Sequence, residues 1–250
     1  MSDLRKNIIK HKLQNNEAAL TLMGVANSDQ IDQLGPLDFD GIWIEAEHGG
    51  ADFSEISDMT RACDIWGKTS ITRVHQNESG VIYRTLDRGS QGICVPHVNT
   101  KQEAQNVVNA AKFAPIGERG LFTSRQGYGV DNYFHKANDE SLLIVLIEDI
   151  EAVKNLDEIL EVNNIDVFFV APNDLAATMG FIGKSDSKEV LETIDDTLKK
   201  IVNAGRVAGT LTSVPLLDHY LEIGVKCICV NILPFLSESV SSVSKTLRSK

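Results

Sequence analysis

LLIVLIEDIEAVKNLDEILEVNNIDVFFVAPND, residues 142–174, decides the reading of the fold. It opens on a strand-like apolar run, passes through the helix-like AVKNLDEILE, and closes on a second strand-like run that stops at a proline. A strand–helix–strand unit of this kind sets its two strands side by side and parallel. Outward from it the same alternation repeats. AALTLMGV (18–25), FDGIWIE (39–45), KTSITRV (68–74) and GICVP (92–96) precede it, and RVAGTLT (206–212) and KCICVNI (226–232) follow, with helical stretches between them. An opening helix is expected over roughly residues 3–14. Eight strands alternating with helices is the count of a closed parallel barrel. One (β/α)8 barrel over residues 1–250 is therefore expected. Gly67, Gly89, Gly205 and Gly224 each fall just before a strand, where helix C-terminal stops belong. The long connection 114–140, between the fourth and fifth strands, is expected to cover an active site or carry partner contacts.

The bulk properties narrow the function. Of 250 residues, 42% are hydrophobic, enough for a full core rather than a disordered chain. Against 24 Lys and Arg stand 35 Asp and Glu, a net charge of -11, and no basic stripe is present to neutralise phosphates, so nucleic acid is not an expected partner. The opening MSDLRKNIIKHKLQNN lacks an apolar targeting core, and no apolar run reaches membrane-spanning length, so a soluble cytoplasmic protein is expected. Cys63, Cys94, Cys227 and Cys229 show no metal-site spacing and read as buried free thiols of a reducing compartment.

In a parallel barrel the strand C-termini share one rim, and catalytic groups gather there. The strands deliver Glu45-Ala-Glu47-His48, Arg73, Pro96-His97, Glu148 and Pro172-Asn173-Asp174 to that rim. Glu148 and Asp174 come from adjacent strands, so their carboxylates can converge on a hard divalent cation. Either residue alone reads more readily as a helix cap; the pairing favours the metal. Glu45 lies three residues before His48 and could orient its imidazole as a general base, the alternative being a structural loop histidine. Arg73 could stabilise an oxyanion or pair structurally with a carboxylate. Nucleotide loops and the serine-nucleophile elbow are missing from the chain. Lys68 and Lys226 start their strands, at the wrong end for Schiff-base chemistry.

FDGIWIEAEHGG, TLDRGSQGICVPHVNTKQEAQ, APIGERG, LIEDIEAV and FFVAPNDLAATMG resemble, in order and spacing, the HpcH/HpaI aldolase family of class II pyruvate aldolases. The resemblance is strong over roughly 38–185 and loose elsewhere. It implies a (β/α)8 barrel in a homo-oligomer, hexamer or trimer, whose C-terminal helix is exchanged between subunits. It implies Glu148 and Asp174 as ligands of Mg²⁺, Mn²⁺ or Co²⁺, His48 with Glu45 in proton transfer, and Arg73, Ala171, Pro172 and Asn173 in substrate binding. The implied reaction cleaves a 4-hydroxy-2-oxo acid to pyruvate and an aldehyde through an enolate stabilised by the metal and Arg73. Three positions depart from the pattern: Glu45 where Asp is usual, Leu146 where Gln is common, and His97 where an apolar residue is more usual. Two alternatives stand beside this reading: a lyase like the citrate-lyase β-type proteins acting on a CoA thioester, and a non-catalytic barrel that binds a 2-oxo acid.

Overall fold

The structure is a computed structural model describing residues 3–249. Its eight strands are Ala19–Met23 (β1), Gly41–Glu45 (β2), Thr69–Arg73 (β3), Gly92–Val95 (β4), Leu142–Ile147 (β5), Val167–Val170 (β6), Ala208–Thr212 (β7) and Cys227–Asn231 (β8). Every neighbouring pair is parallel, and β8 pairs back onto β1, so the sheet closes into a barrel in sequence order. The helices are Ile8–Gln14 (α1), Ser28–Leu34 (α2), Phe53–Ile65 (α3), Ser79–Asp87 (α4), Lys101–Ala111 (α5), Tyr133–Glu140 (α6), Ile150–Lys154 (α7), Leu156–Leu160 (α8), Pro172–Thr178 (α9), Lys188–Asn203 (α10), Val214–Ile223 (α11) and Ile232–Arg248 (α12). The expected (β/α)8 architecture is the observed one.

Alternation along each strand divides the core in two, because successive side chains point to opposite faces. Ile42, Ile44, Val95, Leu143, Val145, Phe168 and Val170 face outward and pack under the helices. Trp43, Ile71, Cys94, Ile144, Leu146, Phe169, Cys227 and Cys229 fill the barrel interior. The four cysteines are buried free thiols, and Cys227 and Cys229 share the inward face, as their spacing required. Ile9 and Leu13 of α1 join the interior cluster from the N-terminal end of the barrel. Gly41 permits that approach: a Cβ there would lie 2.6 Å from Ile9 Cδ1 and 2.5 Å from the Thr69 carbonyl. The helix stops also hold, since Gly67, Gly89, Gly205 and Gly224 all have positive φ.

Two expectations are corrected. The opening helix begins at Ile8 rather than near residue 3, because Asn7 caps it by accepting from the Lys10 N–H, while Arg5 reaches across to Asp64. The segment 114–140 does not cover the rim of its own barrel, the first of the two roles expected of it. Arg125 pairs with Asp64 at 2.6 Å and Gln126 donates to the Gly89 carbonyl at 2.9 Å, which places the segment against the ends of α3 and α4. The reason is directional. A helix after a barrel strand carries the chain back to the strand N-termini, so the connection from α5 to β5 belongs at the end opposite the catalytic rim.

Candidate active site

Register places the chemistry. Glu45 and Arg73 are direct partners across β2 and β3, at the last position of each strand. Both project from the C-terminal rim, and Glu45 Oε2 accepts from Arg73 Nε at 2.8 Å and lies 2.7 Å from Nη2. Glu47 adds a second carboxylate, 3.0 Å from Arg73 Nη1. Burial alone would lower the Arg73 pKa, but its hydrogen bond to Glu45 and the charges of Glu45 and Glu47 outweigh it and raise the value. The guanidinium is therefore a fixed cation. Its Nε–H donates to Glu45, while Nη2 and Nη1 lie within ion-pair distance of Glu45 and Glu47, which leaves part of the guanidinium fork for another acceptor.

Glu45 does not orient the His48 imidazole. Its other oxygen, Oε1, accepts from the backbone N–H groups of Glu47 at 2.9 Å and His48 at 3.0 Å. The carboxylate holds Arg73 on one side and the turn after β2 on the other, so none of it is left for the ring. The His48 side chain is 71% exposed, and its nearest charged neighbour is Glu47, 3.7 Å away.

On the other side of the rim Glu148 follows β5 and is 1% exposed. Desolvation pushes its pKa up to about 7; the His97 N–H, donating to Oε1 at 2.8 Å, opposes the rise, and the Asp174 and Glu47 charges add to it. His97 also places Nδ1 3.0 Å from Asp149 and 3.4 Å from Glu148, and Nε2 4.0 Å from Glu47. Burial would lower the His97 pKa, but these carboxylates raise it on balance. Asp174 sits in the first turn of α9, which begins with Pro172 after Ala171 and has no side-chain cap. Glu148 likewise caps no helix, because Asp149 occupies the position before α7. Neither carboxylate makes a capping hydrogen bond, although Asp174, in the first turn of α9, still meets the favourable end of the helix dipole.

A cavity of about 260 Å³ unites these groups. His48, Arg73, Ala171, Pro172, Asn173 and Asp174 line it; Glu45, which binds Arg73, and Glu148, which feels the Asp174 charge, are not among the lining residues. Beneath the polar residues lies a mostly apolar floor that includes Met23, Trp43, Leu146, Phe169 and Leu211. Among the described residues, no cluster of three or more His, Cys, Asp and Glu side chains is placed to hold a metal ion by itself. A buried carboxylate destabilised by desolvation, next to an acidic group that makes no capping hydrogen bond, nevertheless suits a cation that takes its remaining ligands from water and substrate oxygens.

The family model for HpcH/HpaI aldolase/citrate lyase matches residues 21–224. The chain belongs to this family. It is 34% identical over 213 residues to a hydroxypyruvate/pyruvate aldolase of Roseobacter denitrificans, covering 83% of each chain. It is 33% identical over 233 residues to a 4-hydroxy-2-oxo-heptane-1,7-dioate aldolase of Salmonella paratyphi C, covering 91% of this chain and 89% of that one. The crystal structure of an HpcH/HpaI aldolase from Desulfitobacterium hafniense DCB-2 superposes with a TM-score of 0.88 at 24% identity over 96% of both chains, which shows the shared barrel.

Sequence reasoning passed over the contributions of Glu47, Asp149 and Trp43. A signal for Trp43 was present: it lies two residues before Glu45, so a strand turns both side chains to the same face. Glu47 and Asp149 lie beyond the strands, where no periodicity says which way a side chain points.

The raised Glu148 pKa has a consequence for stability. Its ordinary value is 4.5, so the folded state holds the proton more tightly than the unfolded chain between about 4.5 and about 7. The stabilising contribution is full below 4.5 and is lost as pH rises through about 7. In EDTA, Glu148→Gln is expected to match the wild type in thermal unfolding near pH 5 and to melt at higher temperature near pH 8. Parallel melting curves at both pH values would contradict this assignment.

Proposed function

We propose that the protein is a divalent-metal-dependent pyruvate aldolase, reversibly cleaving a 4-hydroxy-2-oxo acid to pyruvate and an aldehyde. The observation that carries this reading is the single cavity shared by His48, Arg73 and Asp174, with Glu148 buried within reach of the Asp174 charge. The curated relatives named as aldolases support the same chemistry.

Glu148 and Asp174 would hold Mg²⁺, Mn²⁺ or Co²⁺, with selectivity set by geometry and availability. Bound there, the cation would supply Lewis-acid polarisation of the 2-oxo group. Arg73, held by Glu45 and Glu47, directs the rest of its guanidinium fork at the oxygen that gains negative charge. Ala171, Pro172 and Asn173, at the start of α9, line the wall against which the substrate carboxylate is placed, close to backbone N–H groups at a helix N-terminus. His48, at the cavity mouth, takes the proton of the 4-hydroxyl. The C3–C4 bond then breaks, its electron pair forms the C2–C3 double bond of the enolate, and the aldehyde departs. Protonation at C3 yields pyruvate.

Pyruvate release from 4-hydroxy-2-oxo acids, followed through a coupled dehydrogenase, tests this reading. Release that EDTA abolishes, and that falls at least 100-fold in Arg73→Ala, is expected, in line with loss of an oxyanion donor. Release unaffected by EDTA would contradict the metal. Release of acetyl-CoA or free CoA from a CoA thioester in its place would contradict the substrate class.

We further propose that the protein works as a homo-oligomer, hexamer or trimer, in the cytoplasm, where its free thiols persist. No helix among the described residues is long and apolar enough to cross a membrane. Helix α12 exposes Leu233, Leu236, Val240, Val243 and Leu247, alternately three and four residues apart, which makes a continuous apolar stripe. Beside its start lies a groove of about 580 Å³ lined by Leu191, Ile194, Val214, Leu216 and Phe235. A second subunit's α12 is the occupant this pairing suits. Light scattering of the Leu236→Asp, Val240→Asp double variant is expected to show a smaller assembly than the wild type; an unchanged mass would count against helix exchange.

A further inference from the structure

Trp43 carries a buried polar group at the cavity that the mechanism leaves unused. It is 3% exposed, it lines the cavity with Arg73 and Asp174, and its indole N–H has no hydrogen-bond partner. Buried donors in folded proteins are almost always paired, so an unpaired one beside a ligand cavity needs an explanation. The ring is not free to turn away: Phe169 packs against it at 5.1 Å between centroids. Met23, Leu146, Phe169 and Leu211, the neighbouring floor of the cavity, carry no side-chain oxygen or nitrogen that could accept from the indole.

We propose that Trp43 is a ligand-contacting residue whose indole N–H donates to an oxygen of the 2-oxo acid bound in this cavity. The proposal rests on the pyruvate-aldolase reading and assigns one further contact within that site. Position supports it. Trp43 shares the inward face of β2 with Glu45, the residue that fixes Arg73, so the indole and the guanidinium approach the cavity from one wall. Arg73 supplies charge there, whereas Trp43 supplies direction without charge. A neutral donor on an apolar floor rewards an oxygen at one point and rejects a methyl group at the same point, because the donor would then stay unpaired. The contact therefore selects the orientation in which a 2-oxo acid lies over the floor.

The experiment titrates oxalate, a planar dianion with the oxygen spacing of the pyruvate enolate, into the full-length protein with Mg²⁺ present, by calorimetry. Trp43→Phe keeps the aromatic packing on Phe169 and removes the N–H. Its oxalate affinity is expected to fall at least tenfold, the size of a hydrogen bond to a charged oxygen. Its ligand-free melting temperature should equal or exceed that of the wild type, since the lost donor had no partner. The chain has two tryptophans, so Trp66→Phe leaves Trp43 as the sole reporter, and its fluorescence should change saturably with oxalate. An oxalate affinity within twofold of the wild type overturns the proposal while the aldolase reading stands. If Trp43→Phe melts below the wild type, the fluorescence titration decides, and an unchanged Trp43 signal overturns the proposal. A wild type that neither binds oxalate nor releases pyruvate overturns both.

Discussion

Arg73 is a cation with little access to water, held in place by two carboxylates, and the site is organised around that pairing. The contact between Arg73 and Glu45 is fixed by strand register: the two residues face each other at the last pair of β2 and β3, so closing the barrel brings them together. Glu45 then has one oxygen left, and it gathers the N–H groups of Glu47 and His48. The turn that carries Glu47 and His48 is thus tied to the same ion pair as the barrel wall. A buried cation with one carboxylate would still be costly, and Glu47 supplies the second.

From Glu47 the polar chain continues across the rim. His97 lies between Glu47, Glu148 and Asp149, and so links the β2 side of the site to the β5 side. Its backbone φ of 52° is in the left-handed region, unusual for a residue other than glycine, and this conformation accompanies the hydrogen bond from its N–H to Glu148. Glu148 is thus held by the backbone of the neighbouring strand end, buried, and unstable as an isolated anion. Desolvation that makes the metal-free carboxylate costly is the same condition that would make a bound cation effective, because charges interact more strongly where water is excluded.

Much of this was legible in the sequence because a barrel converts order along the chain into position in space. Eight alternations gave the architecture, and the residue at each strand end gave the rim. His48, Arg73, Ala171, Pro172, Asn173 and Asp174 line one cavity because the parallel topology allows their strands no other end. What was misread depended on side-chain direction in irregular segments. Glu45 and His48 are three residues apart, but the carboxylate turns to Arg73 and the backbone instead of the imidazole. The segment 114–140 was placed by its length, whereas the direction of α5 decides which end of the barrel it occupies. The unpaired indole of Trp43 was beyond sequence reasoning altogether, since its lack of a partner depends on which groups line the opposite walls.

In the proposed function, Glu148, Asp174 and Arg73 together stabilise a pyruvate enolate. NMR of pyruvate methyl protons in D₂O measures this most directly, because it needs no knowledge of the aldehyde. Exchange that requires Mg²⁺ or Mn²⁺, stops with EDTA and is lost in Glu148→Ala is the result expected. A folded wild-type protein that catalyses no exchange with any divalent metal would contradict the account.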